Sequence, residues 1–179
     1  MIQPPLIVPD TNAFIQLAER GLLPVLPKIG QMVIVDAVGM ETIGLPQKDF
    51  AKDIAWWTSG RSVGMADANI LYEKTAMGVF MARQTAIMPQ YKMKGAGEMA
   101  IRDWLVAQQA HPSPKDIMIV TDDIKAQKML TLHAQGQRAT VLGAYDLLCY
   151  AEKSGHIKSA SASWLQRVTP KRAYKGIVP

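Results

Sequence analysis

The stretch LIVPDTNAFIQLA, residues 6–18, decides the fold of this 179-residue chain. Its first three residues are apolar, and a short run that is apolar throughout is typical of a strand buried on both faces. From Thr11 onward the apolar residues recur at helical spacing, at Ala13, Phe14, Leu17 and Ala18. The pattern predicts a buried strand that leads directly into a helix, with Asp10 at the junction.

Three later segments repeat this strand-to-helix pattern, at residues 32–43, 117–134 and 139–153. The spacing of apolar residues also predicts three helices in the middle of the chain, at residues 47–58, 66–88 and 99–107. Short apolar strands that alternate with helices are typical of a parallel sheet covered on both faces. We therefore expect an α/β fold, a three-layer sandwich with a central, mostly parallel sheet of short strands flanked by helices.

Length and composition are those of one compact domain. Hydrophobic residues make up 49% of the chain and charged residues 20%, which is sufficient for a single core. We assign residues 1–157 to this domain and residues 158–179 to a basic C-terminal tail, which is either a flexible arm for nucleic acid or a loosely packed helix. Twenty Lys and Arg against fifteen Asp and Glu give a net charge of +5, which favours polyanionic partners.

The single cysteine and the absence of long apolar segments indicate a cytoplasmic protein. Cys149 lies in an apolar run, has no cysteine to pair with, and is expected to act as a small core residue. The first residues lack the basic start and apolar centre of a signal peptide, and no stretch approaches the roughly 18 apolar residues of a membrane span. We expect no association with a membrane.

Acidic residues follow the predicted strands, at the edge where parallel α/β sheets place their functional crevice. Asp10 follows the first strand, Asp36 and Glu41 the second, and Asp122 and Asp123 the third. Glu98 opens a helix after a Gly-Ala-Gly turn. Carboxylates gathered in this way repel one another unless a cation neutralises them, and oxygen ligands suit Mg²⁺ or Mn²⁺. The pattern predicts a site for phosphodiester hydrolysis by a metal-activated water.

Each acid also has an ordinary structural interpretation. Asp10, Asp122 and Asp123 stand where helices begin and are common capping residues. Glu98 lies near a helix N-terminus, where the helix dipole favours a carboxylate, and Glu41 could face solvent. Their coincidence at one edge of one sheet favours the functional interpretation.

Four segments carry a resemblance to a known family: PLIVPDTNAF at 5–14, VDAVGMETI at 35–43, GEMAI at 97–101 and IVTDDIKA at 119–126. In this order they resemble the four acidic blocks of the PIN domain, a family that includes the toxins of bacterial toxin–antitoxin pairs. The resemblance extends over residues 6–157. It implies a PIN-like fold and an endonuclease for single-stranded RNA that uses Mg²⁺ or Mn²⁺.

The resemblance also implies roles for individual residues. The metal ligands would be Asp10, Glu98 and Asp123, with Asp122 as an accessory ligand and Glu41 near the attacking water. The Thr-x-Asp spacing from Thr121 selects Asp123 over Asp122. Three polar residues would support the carboxylates, Thr11 and Asn12 the first of them and Thr121 the last. At the rim, Lys94 and Lys125 would hold the RNA backbone; Arg102 either pairs with Glu98, which we favour, or meets a phosphate.

An antitoxin protein and a homodimer are the further partners that the resemblance implies. The leading alternative is a catalytically inactive PIN-like scaffold that binds RNA or a protein. A structure-specific DNA nuclease and a phosphatase or receiver-type α/β domain are two others. The three histidines stand at no metal-ligand spacing and are expected at the surface, whereas Trp104 follows a helical apolar pattern and is expected in a core or an interface.

Overall fold

A computed structural model of the chain describes residues 4–43, 70–110 and 115–165. Its centre is a five-stranded sheet in the order β3-β2-β1-β4-β5, and every pair of neighbouring strands is parallel. The strands are β1 Leu6–Pro9, β2 Gln31–Val35, β3 Ile70–Glu73, β4 Ile117–Val120 and β5 Ala139–Leu142. The predicted α/β sandwich with a parallel sheet is confirmed.

Within the described residues, eight α-helices flank the sheet. They are α1 Thr11–Ala18, α2 Leu26–Ile29, α3 Asp36–Ile43, α4 Ala76–Ile87, α5 Ala96–Gln108, α6 Ile124–Ala134, α7 Ala144–Lys153 and α8 Ala160–Leu165, and a short 3₁₀ helix, Leu23–Val25, precedes α2. The core lies between the sheet and these helices, where Ile7, Val8 and Trp104 are buried. The expected burial of Trp104 is therefore observed.

The strands run parallel, but their spatial order changes at β1, because later strands are added on the opposite side of it. The chain proceeds from β1 through β2 to β3 on one side of the sheet, and β4 and β5 lie on the other side. In such sheets a crevice opens at the carboxyl ends of the two strands where the direction changes. The register pairs Pro9 with Val120, so the residues that follow them, Asp10 and Thr121, leave the sheet side by side.

The predicted helix at 66–88 is wrong in part, because Ile70–Glu73 is a strand that pairs with β2. This short and only partly apolar segment, ILYE, fits a strand or a turn of helix equally well, and contact with β2 decides between them. Asp36 after β2 accepts hydrogen bonds from the backbone N–H of Thr75, at 3.0 Å, and from its hydroxyl, at 2.7 Å. Thr75 caps α4, and the helix therefore begins at Ala76. The predicted helix at 47–58 lies outside the described residues.

The last described segment packs against the domain. The Trp164 ring of α8 lies edge-on to Tyr145, with 5.7 Å between the ring centres, and the guanidinium of Arg20 lies 3.9 Å from the Trp164 ring centre. Residues 160–165 thus match the packed-helix interpretation of the tail, and residues 166–179 lie outside the described part.

Cys149 is half-buried and packs against the core. Among the described helices, none has the length and apolar character needed to cross a membrane.

Candidate active site

Asp10 occupies the junction between β1 and α1 and is only 2% exposed. One carboxylate oxygen, Oδ1, accepts a hydrogen bond from the backbone N–H of Ala13 at 2.6 Å, so Asp10 caps α1. The other oxygen, Oδ2, accepts a hydrogen bond from the hydroxyl of the buried Thr121. Asp10 thus lies between the two central strands β1 and β4, and its carboxylate is held by Ala13 of α1 and by Thr121 after β4.

Burial raises the pKa of Asp10 to about 6 from its ordinary 3.8, although the hydrogen bonds from Thr121 and Ala13 lower it. The negative charges of Glu98 and Asp122 raise the pKa further. Such an influence requires proximity, so these two carboxylates lie close to Asp10. Within the described residues, no Lys or Arg forms an ion pair with Asp10.

Glu41 projects from α3 towards the start of α5. Its Oε2 accepts a hydrogen bond from the hydroxyl of Thr11, and its Oε1 accepts one from the backbone N–H of Gly97 at 3.1 Å. Burial raises the pKa of Glu41, these two hydrogen bonds lower it, and the charge of Glu98 raises it. Glu41 and Asp10 therefore each interact with Glu98, and the three acids form one group.

Glu98 connects Glu41 to Asp10. It lies in the first turn of α5, whose N-cap is Gly95 in the left-handed conformation with φ of 76°. Its side chain is half-buried and forms no hydrogen bond or ion pair with any residue of the described segments. The helix N-terminus favours a negative charge here, but the carboxylate oxygens remain available to a ligand.

Asp122 and Asp123 differ in what their carboxylates do. Asp122 is exposed; its Oδ1 accepts a hydrogen bond from the N–H of Ala144 at 3.0 Å, and its charge acts on Asp10. Asp123 caps α6 by accepting hydrogen bonds from the N–H groups of Lys125, at 2.7 Å, and Ala126, at 3.0 Å. These bonds, followed by the nearby charges of Lys125 and Lys94, lower the pKa of Asp123. Asp122, and not Asp123, is therefore the aspartate of this pair whose charge raises the pKa of Asp10.

The two threonines support carboxylates other than the expected ones. Thr11 was expected to support Asp10, but its hydroxyl donates to Glu41. Thr121 was expected to orient the last aspartate, but its hydroxyl donates to Asp10. Its contact with Asp123 is to the backbone, whose N–H it accepts at 3.2 Å. The parallel register explains the difference, because it sets Thr121 beside Asp10. Asn12 is exposed, and its side chain makes no hydrogen bond within the described segments.

The expected pair between Arg102 and Glu98 is not formed. The Arg102 guanidinium instead contacts its neighbour Asp103, with 2.8 Å between Nη2 and Oδ1. Lys94 and Lys125 are both exposed, and both act electrostatically on Asp123. These two lysines therefore lie at the rim of the acidic group, whereas Arg102 is held away from Glu98.

Two glycines, Gly97 and Gly143, leave room for the carboxylates of Glu41 and Asp122. A Cβ at Gly97 would lie 2.9 Å from Oε2 of Glu41 and 3.2 Å from Cγ2 of Val38. A Cβ at Gly143 would lie 2.9 Å from Oδ1 of Asp122. The sequence did not indicate this role, because Gly97 is one of two glycines in the turn before Glu98 and Gly143 is a single glycine before α7. Their role follows only from the neighbouring carboxylates.

We expect Gly97→Ala to displace Glu41 and to weaken any activity that depends on it. Alanine in place of glycine inside a helix normally stabilises by about 1 kcal/mol, and here the contact with Glu41 should cancel or reverse that gain. The free energy of unfolding from urea titrations tests this. In a Glu41→Ala background the same change should be less destabilising. Equal effects in the two backgrounds would contradict the contact.

A divalent cation such as Mg²⁺ requires oxygen ligands that converge on one position. Among the residues that the structure describes, no three Asp, Glu, His or Cys side chains converge closely enough to bind one ion. Mg²⁺, however, is commonly held by one or two carboxylates, with waters and substrate phosphate completing its octahedron. The donors are carboxylate oxygens, and those of Glu98 are unengaged within the described residues. The residues thus fit a hydrated Mg²⁺ or Mn²⁺ and not a zinc site built from Cys and His.

Comparison of the sequence with protein-family models and with curated proteins finds no match.

Proposed function

We propose that this protein is a metal-dependent endoribonuclease that cleaves single-stranded RNA, with a PIN-like active site. The observation that carries the proposal is the group formed by Asp10, Glu41, Glu98 and Asp122 at the carboxyl edge of the sheet. The charges of Glu98 and Asp122 raise the pKa of Asp10, the charge of Glu98 also raises the pKa of Glu41, and none of the four acids has an ion pair with a described Lys or Arg. Such a group is costly unless a cation joins it, so its presence favours a cation-dependent function.

In this proposal two of the three carboxylates of Asp10, Glu98 and Asp122 bind a hydrated cation directly, the third binds it through a water, and Glu41 orients the attacking water. When bound, Mg²⁺ or Mn²⁺ activates a water and neutralises charge on the phosphate. Asp10 is fixed by Thr121 and Ala13, and Glu41 is fixed by Thr11 and Gly97, so neither needs to reorganise when substrate binds. The water oxygen bonds to phosphorus and its proton passes to solvent, while the P–O bond to the 3′ or 5′ oxygen breaks in line with it and that oxygen takes up a proton.

Cationic residues beside the acidic group support a polyanionic substrate. Lys94 and Lys125 are exposed and close enough to Asp123 to lower its pKa. In this proposal they contact phosphates on either side of the scissile bond, which positions the strand without reading its sequence. The net charge of +5 adds long-range attraction to RNA.

The resemblance to toxins of toxin–antitoxin pairs extends the proposal to partners. A cytoplasmic toxin would be inhibited by an antitoxin, whose arginine or amphipathic helix would cover the acidic group. Two copies of the chain would form a homodimer. An antitoxin supplied in trans should abolish cleavage in proportion to the amount bound.

One observation favours a second candidate, a catalytically inactive PIN-like scaffold that binds RNA or a protein. The described acids do not converge on a single point to give three ligands. A scaffold would retain RNA binding in the absence of divalent ions and would show no cleavage when they are added.

We expect Mn²⁺ to be required for cleavage of a mixed pool of single-stranded RNA, and Glu98→Gln to reduce the rate at least about 100-fold. Glu98 is suited to this test because its side chain makes no hydrogen bond within the described segments, so the variant should fold like the wild type. The matched control is Glu19→Gln at the end of α1, whose carboxylate lies 3.9 Å from Arg20. Gel-based rates decide the outcome: wild type that leaves RNA intact in Mn²⁺ would exclude the nuclease, and equal cleavage by both variants would exclude the role proposed for Glu98.

A further inference from the structure

Phe80 on α4 and Tyr91, in the segment between α4 and α5, form a half-exposed aromatic pair. Phe80 on α4 is 42% exposed, and its ring packs edge-on against Tyr91, with 6.3 Å between the ring centres and an angle of 78° between the ring planes. A large apolar side chain at the surface is unremarkable alone. Here it is paired with a second ring that fixes its position.

Three cations lie within three residues of this pair along the chain. Arg83 follows Phe80 by three residues and shares its helix face, while Lys92 and Lys94 follow Tyr91. All three are exposed, and none forms an ion pair with a residue of the described segments. We call Phe80, Tyr91, Arg83, Lys92 and Lys94 the aromatic platform.

The aromatic platform is adjacent to the acidic group. Tyr91 precedes Gly95 by four residues, so their Cα atoms are at most about 14 Å apart. A Cβ at Gly95 would lie 3.5 Å from Oε2 of Glu98, and Lys94 is close enough to Asp123 to lower its pKa. A strand with one phosphate at the acids can therefore reach the platform within a few nucleotides.

We propose that the aromatic platform binds an unpaired RNA base by stacking on Phe80, with Arg83, Lys92 and Lys94 holding the flanking phosphates. The proposal rests on the proposed function for the identity of the polymer. Rings interleaved with cations are the arrangement by which proteins hold single strands, because each base offers a flat face and each nucleotide a charge. Stacking tolerates any base, so this subsite would select unpaired strands over duplexes.

The test is fluorescence anisotropy in EDTA, so that binding is measured without cleavage. The probes are a labelled oligoadenylate RNA of twelve nucleotides and a ribose-phosphate oligomer of equal length that lacks bases. Wild type should bind the RNA more tightly than the abasic oligomer. Phe80→Ala should weaken RNA binding about tenfold and leave the abasic oligomer unchanged. Phe80→Tyr should restore binding.

Two controls separate stacking from charge and from folding. Phe80→Leu keeps the contact with Tyr91 and should still lose the preference for RNA. Lys92→Gln should weaken binding of both probes equally. It should also lower the slope of log affinity against log salt concentration by about one, as expected for one lost phosphate contact. Val79→Ala, at a neighbouring residue that is 43% exposed, should change neither.

Equal affinity of wild type and Phe80→Ala for RNA, or equal affinity of wild type for both probes, would overturn the proposal. So would a Phe80→Ala variant that binds RNA normally but changes from dimer to monomer in sedimentation, since the face would then be a protein interface. Adding Mn²⁺ separates this proposal from the previous one: base-dependent binding without cleavage would retain the platform and exclude the nuclease.

Discussion

Asp10→Asn is expected to unfold at a higher temperature than the wild type in metal-free buffer at pH 7.5. The pKa of Asp10 is raised to about 6 from 3.8, so folding favours the protonated carboxyl. The unfolded chain loses this proton near pH 4 and the folded protein only near pH 6. Wild-type stability therefore falls as pH rises between these values and stays lower above them. The full difference is about 3 kcal/mol, or roughly 5–10 °C in melting temperature.

Asparagine is suited to this test because it caps helices as well as aspartate does. The measurement is a series of thermal melts from pH 4 to pH 8 in EDTA. Asp123→Asn is the matched control with the opposite sign: Asp123 caps α6, but its pKa is lowered, so folding favours its charged form. That variant should be less stable than the wild type at neutral pH. Wild-type stability that does not fall between pH 4 and pH 6 would contradict the account of Asp10.

Asp122→Asn should reduce RNA cleavage by about 100-fold or more, whereas Asp123→Asn should reduce it less than about tenfold. Asp122 acts on Asp10 through its charge, so its loss removes one of the carboxylates proposed to hold the cation. Asp123 is engaged by two backbone N–H groups of α6, and asparagine preserves that cap.

The comparison needs single-turnover rates of both variants in Mn²⁺, with melting temperatures as a check on folding. Asp146→Asn provides a further control, because Asp146 accepts the N–H of Gly143 at 3.2 Å and thereby helps to fix the turn beside Asp122. It should cleave at close to the wild-type rate. If Asp123→Asn were the variant that lost activity, the assignment from motif spacing would hold and the one from geometry would not.

The three central strands β1, β2 and β4 were predictable because they are largely buried on both faces and therefore mainly apolar. Residues 6–18 show this clearly, since the strand, the capping Asp10 and the helical spacing follow one another without interruption. The helices α6 and α7 and the strand β5 were also predicted with their observed bounds, the helices from the helical spacing of their apolar residues. The strand β3 was not, because only its pairing with β2 distinguishes it from a turn of helix.

The identity of the clustered acids was also partly predictable. Asp10, Glu41 and Glu98 follow from the carboxyl-edge rule, and charge interactions link all three in the structure. The choice between Asp122 and Asp123 was not, because the direction of each side chain depends on which N–H groups lie nearby. The partners of the Thr11 and Thr121 hydroxyls were not predictable either, since Thr11 donates to Glu41 and the parallel register places Thr121 beside Asp10. Contacts between elements, and not spacing along the chain, decide these details.

The most direct test of the cation site is calorimetric titration of the metal-free protein with Mn²⁺ at pH 7.5, beside Asp10→Asn and Glu19→Gln. The account predicts saturable binding to the wild type and to Glu19→Gln, and loss of binding in Asp10→Asn. Wild type that binds no Mn²⁺, or Asp10→Asn that binds it as tightly as the wild type, would contradict the proposal that these carboxylates form a cation site.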